Sequence, residues 1–106
     1  MSKPKASFRL FFVGGVMGSA RLERQLTAAL EKYLAGAYEL EVIDLKLRPE
    51  VAKRDDVIAA PTVIRVFPPP VRRIIGAFSD PEQVARALDL QVLALWLENL
   101  ADAESQ

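Results

Sequence analysis

The feature that most constrains the fold is a pair of β-branched and aromatic runs, Thr62–Phe67 and Val71–Ile75, separated by three consecutive prolines. Such runs fit the pleated, half-buried surface of a β-strand. Proline donates no backbone hydrogen bond and fixes φ, so the prolines end the first run and keep the connection extended. The sequence therefore predicts a β-hairpin at the edge of a sheet. The three prolines are Pro68, Pro69 and Pro70.

The segment before the hairpin has the pattern of a β-α-β unit. Phe8–Val13 is short and almost entirely apolar, which is typical of a central strand buried on both faces. Apolar residues then recur at helical spacing from Ser19, a good N-cap, to Ala35, with a glycine following. Leu40–Leu45 is the second predicted strand and should run parallel to the first. Pro61, at the mouth of the hairpin, predicts a fixed turn or a cis peptide bond.

Two helices are predicted on either side of the hairpin. Arg48-Pro49-Glu50 begins a short helix of one or two turns, and Ser79-Asp80-Pro81-Glu82 begins a C-terminal helix. Two interpretations of the segment from Val84 to Leu100 remain open. A helical stripe runs through it, whereas Leu88-Asp89-Leu90-Gln91-Val92 alternates with the period of a strand. The assembled order is a thioredoxin-like α/β arrangement: βαβ, short helix, β-hairpin, C-terminal helix.

Composition limits the classes of function. The chain has 106 residues, which predicts one domain over 1–106, with flexible ends at 1–6 and 101–106. Its 14 basic and 14 acidic residues cancel, so no overall field favours nucleic acid or an anionic membrane. No apolar run approaches the roughly 20 residues that span a bilayer. We therefore expect a cytoplasmic protein with no nucleic-acid or membrane partner.

Absent residue types argue against catalysis. The sequence contains no cysteine, which excludes disulfides, thiol nucleophiles and dithiol exchange, and no histidine, the commonest general base and metal ligand. The glycines Gly14, Gly15 and Gly18 favour a turn over a nucleotide site, because the dinucleotide pattern is incomplete and the P-loop lysine is missing. Asp55-Asp56 favours a solvated helix end over a metal site. We predict no catalytic residue, no metal and no cofactor.

One block of sequence carries a family resemblance. Pro-Pro-Pro-Val-Arg-Arg-Ile-Ile-Gly, preceded by Ala-Pro-Thr and followed by Leu-Asp-Leu, resembles the KaiB family of circadian-clock proteins over roughly Phe8 to Leu90. The resemblance implies a non-enzymatic protein with two folds, a ground state that is a dimer or tetramer and a rarer thioredoxin-like monomer. It implies that the C-terminal half can adopt either fold, and that the thioredoxin-like state binds a KaiC-type ATPase. KaiA or a sensor histidine kinase is a further implied partner where present.

The resemblance also implies roles for individual residues. Basic positions that match the family pattern would contact the partner, whereas the alternative is that they solubilise an edge hairpin. The positions for partner binding are Arg21, Arg65, Arg72 and Arg73. The positions for turn geometry and fold switching are Pro61, Pro68, Pro69, Pro70, Ala87 and Asp89. Cyanobacterial relatives commonly have glycine where this chain has Ala87, so we expect a larger thioredoxin-like population here.

Three hypotheses about function result. The first is a KaiB-type regulator that modulates the ATPase and phosphorylation cycle of a KaiC-type ATPase, in a circadian or stress-adaptation system. The alternative is a redox-inactive, thioredoxin-like input domain of a two-component signalling system. A redox enzyme or its relic is the third, and the absence of cysteine opposes it.

Overall fold

The computed structural model describes residues 4–15, 19–76, 78 and 80–104, and it describes only the backbone of residues 101–104. Its elements lie close to the predicted ones, with shifts of one or two residues at most of the ends. In chain order they are β1 (Ala6–Phe12), α1 (Ser19–Leu34), β2 (Tyr38–Asp44), α2 (Glu50–Arg54), β3 (Thr62–Phe67), β4 (Arg72–Ile75), α3 (Pro81–Ala87) and α4 (Leu90–Glu104).

The four strands form one sheet in the order β2-β1-β3-β4. β1 is central and pairs parallel to β2 and antiparallel to β3, as the apolar character of its sequence predicts. β3 and β4 pair antiparallel, and β4 lies at the edge, so the predicted edge hairpin is confirmed. The Ala60–Pro61 bond is cis, as are Phe67–Pro68 and Pro69–Pro70 in the connection between the two strands.

The two faces of the sheet are covered unequally. Phe8 and Leu10 of β1 and Val63 of β3 pack under α1, α3 and α4 in the larger hydrophobic cluster. On the opposite face, Phe11 packs in a smaller cluster with residues of β2, α2 and β3. Because adjacent residues of a strand point to opposite faces, β1 supplies both clusters at once. The residues of the smaller cluster are Phe11, Ile43, Val51 and Ile64.

The C-terminal segment contains two helices, so the expectation of one continuous helix is wrong. α3 begins at Pro81, and the carboxylate of Asp80 accepts a hydrogen bond from the backbone N–H of Gln83 at 2.9 Å. Ser79, expected to share in that cap, lies outside the described residues. The chain turns at Leu88 and Asp89, where Asp89 has a φ of +57°, and α4 then begins at Leu90.

The turn explains the two periodicities of this segment. Leu88 and Leu90 are both fully buried although they are two residues apart, a spacing that places residues on opposite sides of a continuous helix. The change of direction at Asp89 brings both leucines into the larger cluster. The thioredoxin-like conformation is therefore the one observed, and Leu90–Val92 are helical rather than extended.

Two elements extend into the ranges 1–6 and 101–106. Ala6 belongs to β1 and is fully buried, and α4 continues to Glu104, four residues past the expected end at Leu100. Within the described residues, no helix is long and apolar enough to cross a membrane.

The loop after β1 is occupied by a carboxylate of the chain. Oδ1 of Asp44 accepts hydrogen bonds from the backbone N–H of Gly14 at 2.8 Å and from that of Lys46 at 2.9 Å. The negative charge of this carboxylate would repel a phosphate group bound at the same backbone N–H groups. The contacts are those of the predicted turn and not those of a nucleotide-binding site. Gly18, part of the same predicted loop, lies outside the described residues.

We expect Gly14→Ala to destabilise the fold by about 1–2 kcal/mol, because the new methyl group would overlap the Asp44 carboxylate and break its hydrogen bond. Urea unfolding followed by circular dichroism measures this change. In an Asp44→Ala background, adding Gly14→Ala should cost much less, since the overlapping group is gone. Equal costs in both backgrounds would contradict this explanation.

Candidate partner-binding surface at the proline hairpin

The four candidate arginines occupy three different environments. In the β3–β4 ladder, Arg65 is opposite Arg72, and Ile64 is opposite Arg73. Because side chains alternate between faces, Arg72 points to the face covered by α3 and α4, whereas Arg73 points to the opposite face. Arg21 is exposed in the first turns of α1, and α1 contacts α3 and α4. The structure therefore brings Arg65 and Arg72 together and places Arg73 and Arg21 elsewhere.

Arg65 is an internal connector. Its side chain is on the helix-covered face, the residue is only 5% exposed, and Nη1 donates to the Leu88 carbonyl at 2.8 Å. Nη2 donates to the carbonyl of Pro70 at 2.9 Å. Burial, followed by the positive charge of Arg72, lowers the pKa of Arg65. In this conformation the guanidinium group of Arg65 joins the hairpin to the α3–α4 turn, and its contact with a partner stays a prediction.

Arg72 joins the same two elements at the surface. Its Nη2 lies 3.3 Å from Oδ2 of Asp89, and the two side chains are 47% and 46% exposed. A half-exposed pair of this kind contributes little to stability, so Arg72 can exchange its partner at low cost. Asp89 also has the left-handed backbone conformation that aspartate tolerates better than most residues. The pair thus lies at the point where the chain changes direction.

Arg73 caps the end of α2 from the other face of the sheet. Nη2 donates to the carbonyl of Asp55 at 2.8 Å, and Nη1 donates to that of Asp56 at 3.2 Å. Both hydrogen bonds are exposed, and so is the residue. A cation at a helix C-terminus interacts favourably with the helix dipole. Arg73 therefore retains an accessible charge beside α2.

Asp55 and Asp56, the acidic pair beside Arg73, do not form a common binding site. Oδ2 of Asp55 accepts a hydrogen bond from Nη1 of Arg9 at 3.1 Å, and its carboxylate also contacts Arg54. The hydrogen bonds from Arg54, followed by the charge of Arg9, lower the pKa of Asp55 despite its burial. Asp56 is exposed, with a φ of +57°. Among the residues that the structure describes, no group of three or more acidic side chains could hold a metal ion.

An apolar groove adjoins the Arg72–Asp89 pair, and the sequence did not predict it. Its volume is about 450 Å³, and it lies between the proline connection and α4. The rings of Phe67 and Trp96 meet edge to face across it, with centroids 6.4 Å apart. The apolar residues that line it are Phe67, Pro68, Pro69, Pro70, Val92, Leu93 and Trp96. The sequence signal that could have indicated this groove was the alternation of β3, which puts Phe67 on the same face as Arg65.

Ala87, the candidate fold-switch residue, is the exposed last residue of α3. Glycine at this position should cost the thioredoxin-like state up to about 1 kcal/mol, because glycine is the poorer helix former. The family resemblance implies an oligomeric ground state, and we predict that Ala87→Gly shifts the protein toward it. Light scattering at matched concentrations measures the oligomer distribution, and an unchanged distribution would count against this role.

Comparison with known proteins identifies the family. The sequence profile of the KaiB domain matches residues 9–90, which is most of the chain. The chain belongs to the KaiB family. It is 39% identical over 98 residues to the circadian clock oscillator protein KaiB of a Cyanothece species, covering 92% of this chain and 89% of that protein. It is 44% identical over 82 residues to the protein of the same name from Thermosynechococcus vestitus, covering 77% and 76%.

Solved structures confirm the fold. The N-terminal domain of SasA from Synechococcus elongatus superposes with a TM-score of 0.68 at 17% identity, covering 88% of this chain and 87% of that domain. Mitochondrial thioredoxin 3 from Saccharomyces cerevisiae superposes with a TM-score of 0.64 at 20% identity, covering 81% and 78%. At these identities the comparison establishes the thioredoxin-like fold alone. The predicted family and the predicted fold class are therefore both confirmed.

Proposed function

We propose that the protein is a non-catalytic regulator that binds a KaiC-type ATPase and modulates the timing of its ATPase and phosphorylation cycle. The observation that supports this proposal most strongly is membership of the KaiB family over residues 9–90 in a chain without cysteine or histidine. Relatives at about 40% identity are circadian clock oscillator proteins. The cycle regulated here belongs to a circadian or a stress-adaptation system in the cytoplasm.

The proposed contact with the ATPase uses the exposed arginines. Arg72 and Arg73 are on the edge hairpin, and Arg21 is exposed on α1. A guanidinium group makes forked, charge-assisted hydrogen bonds to carboxylates, and arginine is enriched among the residues that dominate binding energy. Because Arg72 and Arg73 point to opposite faces of the sheet, they would engage separate parts of a partner or different partners. KaiA or a sensor histidine kinase is the second partner class in this proposal.

A second candidate function is an input or interaction domain of a two-component signalling system. The fold it shares with the SasA N-terminal domain supports this candidate. The sequence of the proline hairpin favours the first candidate, because residues 68–76 fall within the matched KaiB domain. In either case the protein acts by docking, since the sequence offers no thiol for dithiol exchange.

Binding to a purified KaiC homologue tests the proposal directly. The protein is immobilised, and retention of the ATPase is measured by biolayer interferometry with ATP, with ADP and without nucleotide. A thioredoxin immobilised at the same density controls for the shared fold. We expect retention in at least one nucleotide state and none on thioredoxin. No retention in any nucleotide state would refute the proposal, and binding to a histidine kinase alone would favour the second candidate.

A further inference from the structure

The groove between the proline connection and α4 carries an excess of one positive charge. In the described part of the chain, the charged residues that line it are Arg65, Arg72 and Asp89, so two guanidinium groups share one carboxylate. The two arginines are opposite each other in the β3–β4 ladder, an arrangement in which like charges repel. Asp89 forms an ion pair with Arg72, whereas the hydrogen bonds of Arg65 are to neutral carbonyls. This surface, which we call the hairpin–α4 groove and which these three residues line together with the apolar residues named above, therefore fits one additional anion.

Arg65 also has an unused donor at the hairpin–α4 groove. Its Nε is buried and has no hydrogen-bond partner among the described residues, and the residue is only 5% exposed. In a guanidinium group, the N–H of Nε and one N–H of Nη2 point along the same edge, and together they form a fork that fits a carboxylate. Nη2 of Arg65 donates to the carbonyl of Pro70, which lines the groove. The unpartnered N–H therefore lies on the edge that faces the proline connection, where an acceptor from a ligand would remove the cost of a buried donor.

The charged groups lie at one end of the groove and the aromatic rings at the other. Asp89 immediately precedes α4, and Trp96 is about two turns further along the helix, or roughly 10 Å. On β3, Phe67 is two residues beyond Arg65, or roughly 7 Å. The rings of Phe67 and Trp96 meet at that end, with centroids 6.4 Å apart. The groove therefore fits a molecule with an anionic end and an apolar body roughly 7–10 Å long.

We propose that the hairpin–α4 groove binds a small amphipathic carboxylic acid, with its carboxylate between Arg65 and Arg72 and its apolar body between the prolines and Trp96. Arg72 contacts Asp89 through Nη2, so its guanidinium group has further N–H donors for a second carboxylate. One oxygen of the ligand accepts from Nε of Arg65. The volume of about 450 Å³ lies within the range of small-molecule sites, roughly 300–1,000 Å³.

The charge and the lining select a carboxylate over other anions. A phosphate monoester carries close to two negative charges at neutral pH, whereas the groove has one positive charge to balance. The walls formed by the prolines, Val92 and Leu93 offer apolar contacts to a ring or an alkyl chain and no partner for a second charged group. A nucleotide, which is polar at the base, the sugar and the phosphates, does not fit this distribution.

The probe for this site is 4-phenylbutyrate, in which a three-carbon chain separates the carboxylate from the ring. Titration of the full chain, followed by the fluorescence of Trp96 and by isothermal titration calorimetry, should give a saturable signal. We expect a dissociation constant on the order of 0.1–1 mM, typical of a ligand of about a dozen heavy atoms. The neutral analogue 4-phenylbutyramide should bind about tenfold more weakly, because it lacks the charge-assisted hydrogen bonds. No saturable signal up to about 10 mM, or equal affinity for acid and amide, overturns the proposal.

Two glutamate variants on α4 test whether the probe binds in the groove. Val92→Glu adds a negative charge to its wall and should abolish binding, whereas Leu95→Glu, on the same helix but outside the groove, should leave binding unchanged. The two positions are 62% and 60% exposed, so both variants should keep the circular dichroism spectrum of the parent. Equal affinities of the two variants for the probe would overturn the assignment to this groove.

Substitutions at the ion pair test the position of the carboxylate. Arg72→Gln should weaken binding of 4-phenylbutyrate about fivefold or more, and Asp89→Asn should strengthen it about twofold to fivefold, because the competing carboxylate is gone. Arg24→Gln removes an equal charge at an exposed position of α1 and is the matched control. If Arg72→Gln binds the probe as tightly as this control, the carboxylate lies elsewhere and the proposal is overturned. The ATPase is absent from these measurements, so their outcome is independent of the proposed function.

Discussion

Replacing Arg65 with methionine is expected to destabilise the thioredoxin-like conformation by about 2–3 kcal/mol, the largest effect we predict for a single substitution. Methionine keeps most of the buried volume but removes both donors. The carbonyl of Leu88 then loses a buried hydrogen bond, and the carbonyl of Pro70 loses a partly buried one. A buried carbonyl without a donor costs about 1–3 kcal/mol.

One effect opposes this loss. The guanidinium group of Arg65 is desolvated, which lowers its pKa, and an apolar replacement removes that desolvation cost. We expect the hydrogen bonds to dominate, because both are charge-assisted and one guanidinium group makes both. Arg65→Lys should be almost as destabilising, since a single ammonium group does not match the fork that reaches both carbonyls.

Urea unfolding followed by circular dichroism and by the fluorescence of Trp96, the only tryptophan, measures the change. Arg24→Met, at an exposed position of α1, is the matched control and should alter stability by less than about 0.5 kcal/mol. An Arg65→Met variant as stable as this control would show that the two hydrogen bonds of Arg65, which connect the hairpin to the α3–α4 turn, do not contribute to stability.

Most of the sheet could be predicted from the sequence. Pro61 and the three prolines of the connection mark the ends of β3 and the start of β4 in the sequence, so the hairpin was predicted, and a cis bond at Pro61 was one of two predicted alternatives. The β-α-β unit was predicted because its strands and helix differ in apolar period. These features are local, and each depends on residues that are near one another in the chain.

The site was harder to predict because its contacts are between distant residues. Alternation in β3 places Arg65 on the same face as Val63 and Phe67, but nothing local showed that Leu88, 23 positions later, would supply its acceptor. The turn at Asp89 could not be predicted from the sequence for a similar reason. Leu88 and Leu90 fit the period of a strand, whereas Leu88 and Val92 fit a helical stripe, and only the packing of α3 against α4 decides between the two.

The proposed contribution of Arg72 to partner binding gives the second large prediction, because two substitutions at one ion pair should act in opposite directions. Arg72→Gln should weaken binding to a KaiC homologue about tenfold or more, as expected for loss of an arginine that dominates an interface. Asp89→Asn should strengthen binding, by up to about fivefold, because it releases Arg72 from a surface pair worth up to about 1 kcal/mol.

Because the two substitutions are expected to change the affinity in opposite directions, they distinguish a role of Arg72 in partner binding from a role in folding. Asparagine tolerates the left-handed backbone at position 89, so Asp89→Asn should leave the α3–α4 turn intact. Affinities from biolayer interferometry are compared with that of Arg24→Gln, an exposed control on α1 that should bind like the parent. If Arg72 only stabilises the turn, then either substitution breaks the same ion pair and both should change affinity in the same direction. That outcome would remove Arg72 from the proposed interface and leave the binding of the ATPase to Arg21, Arg73 or another surface.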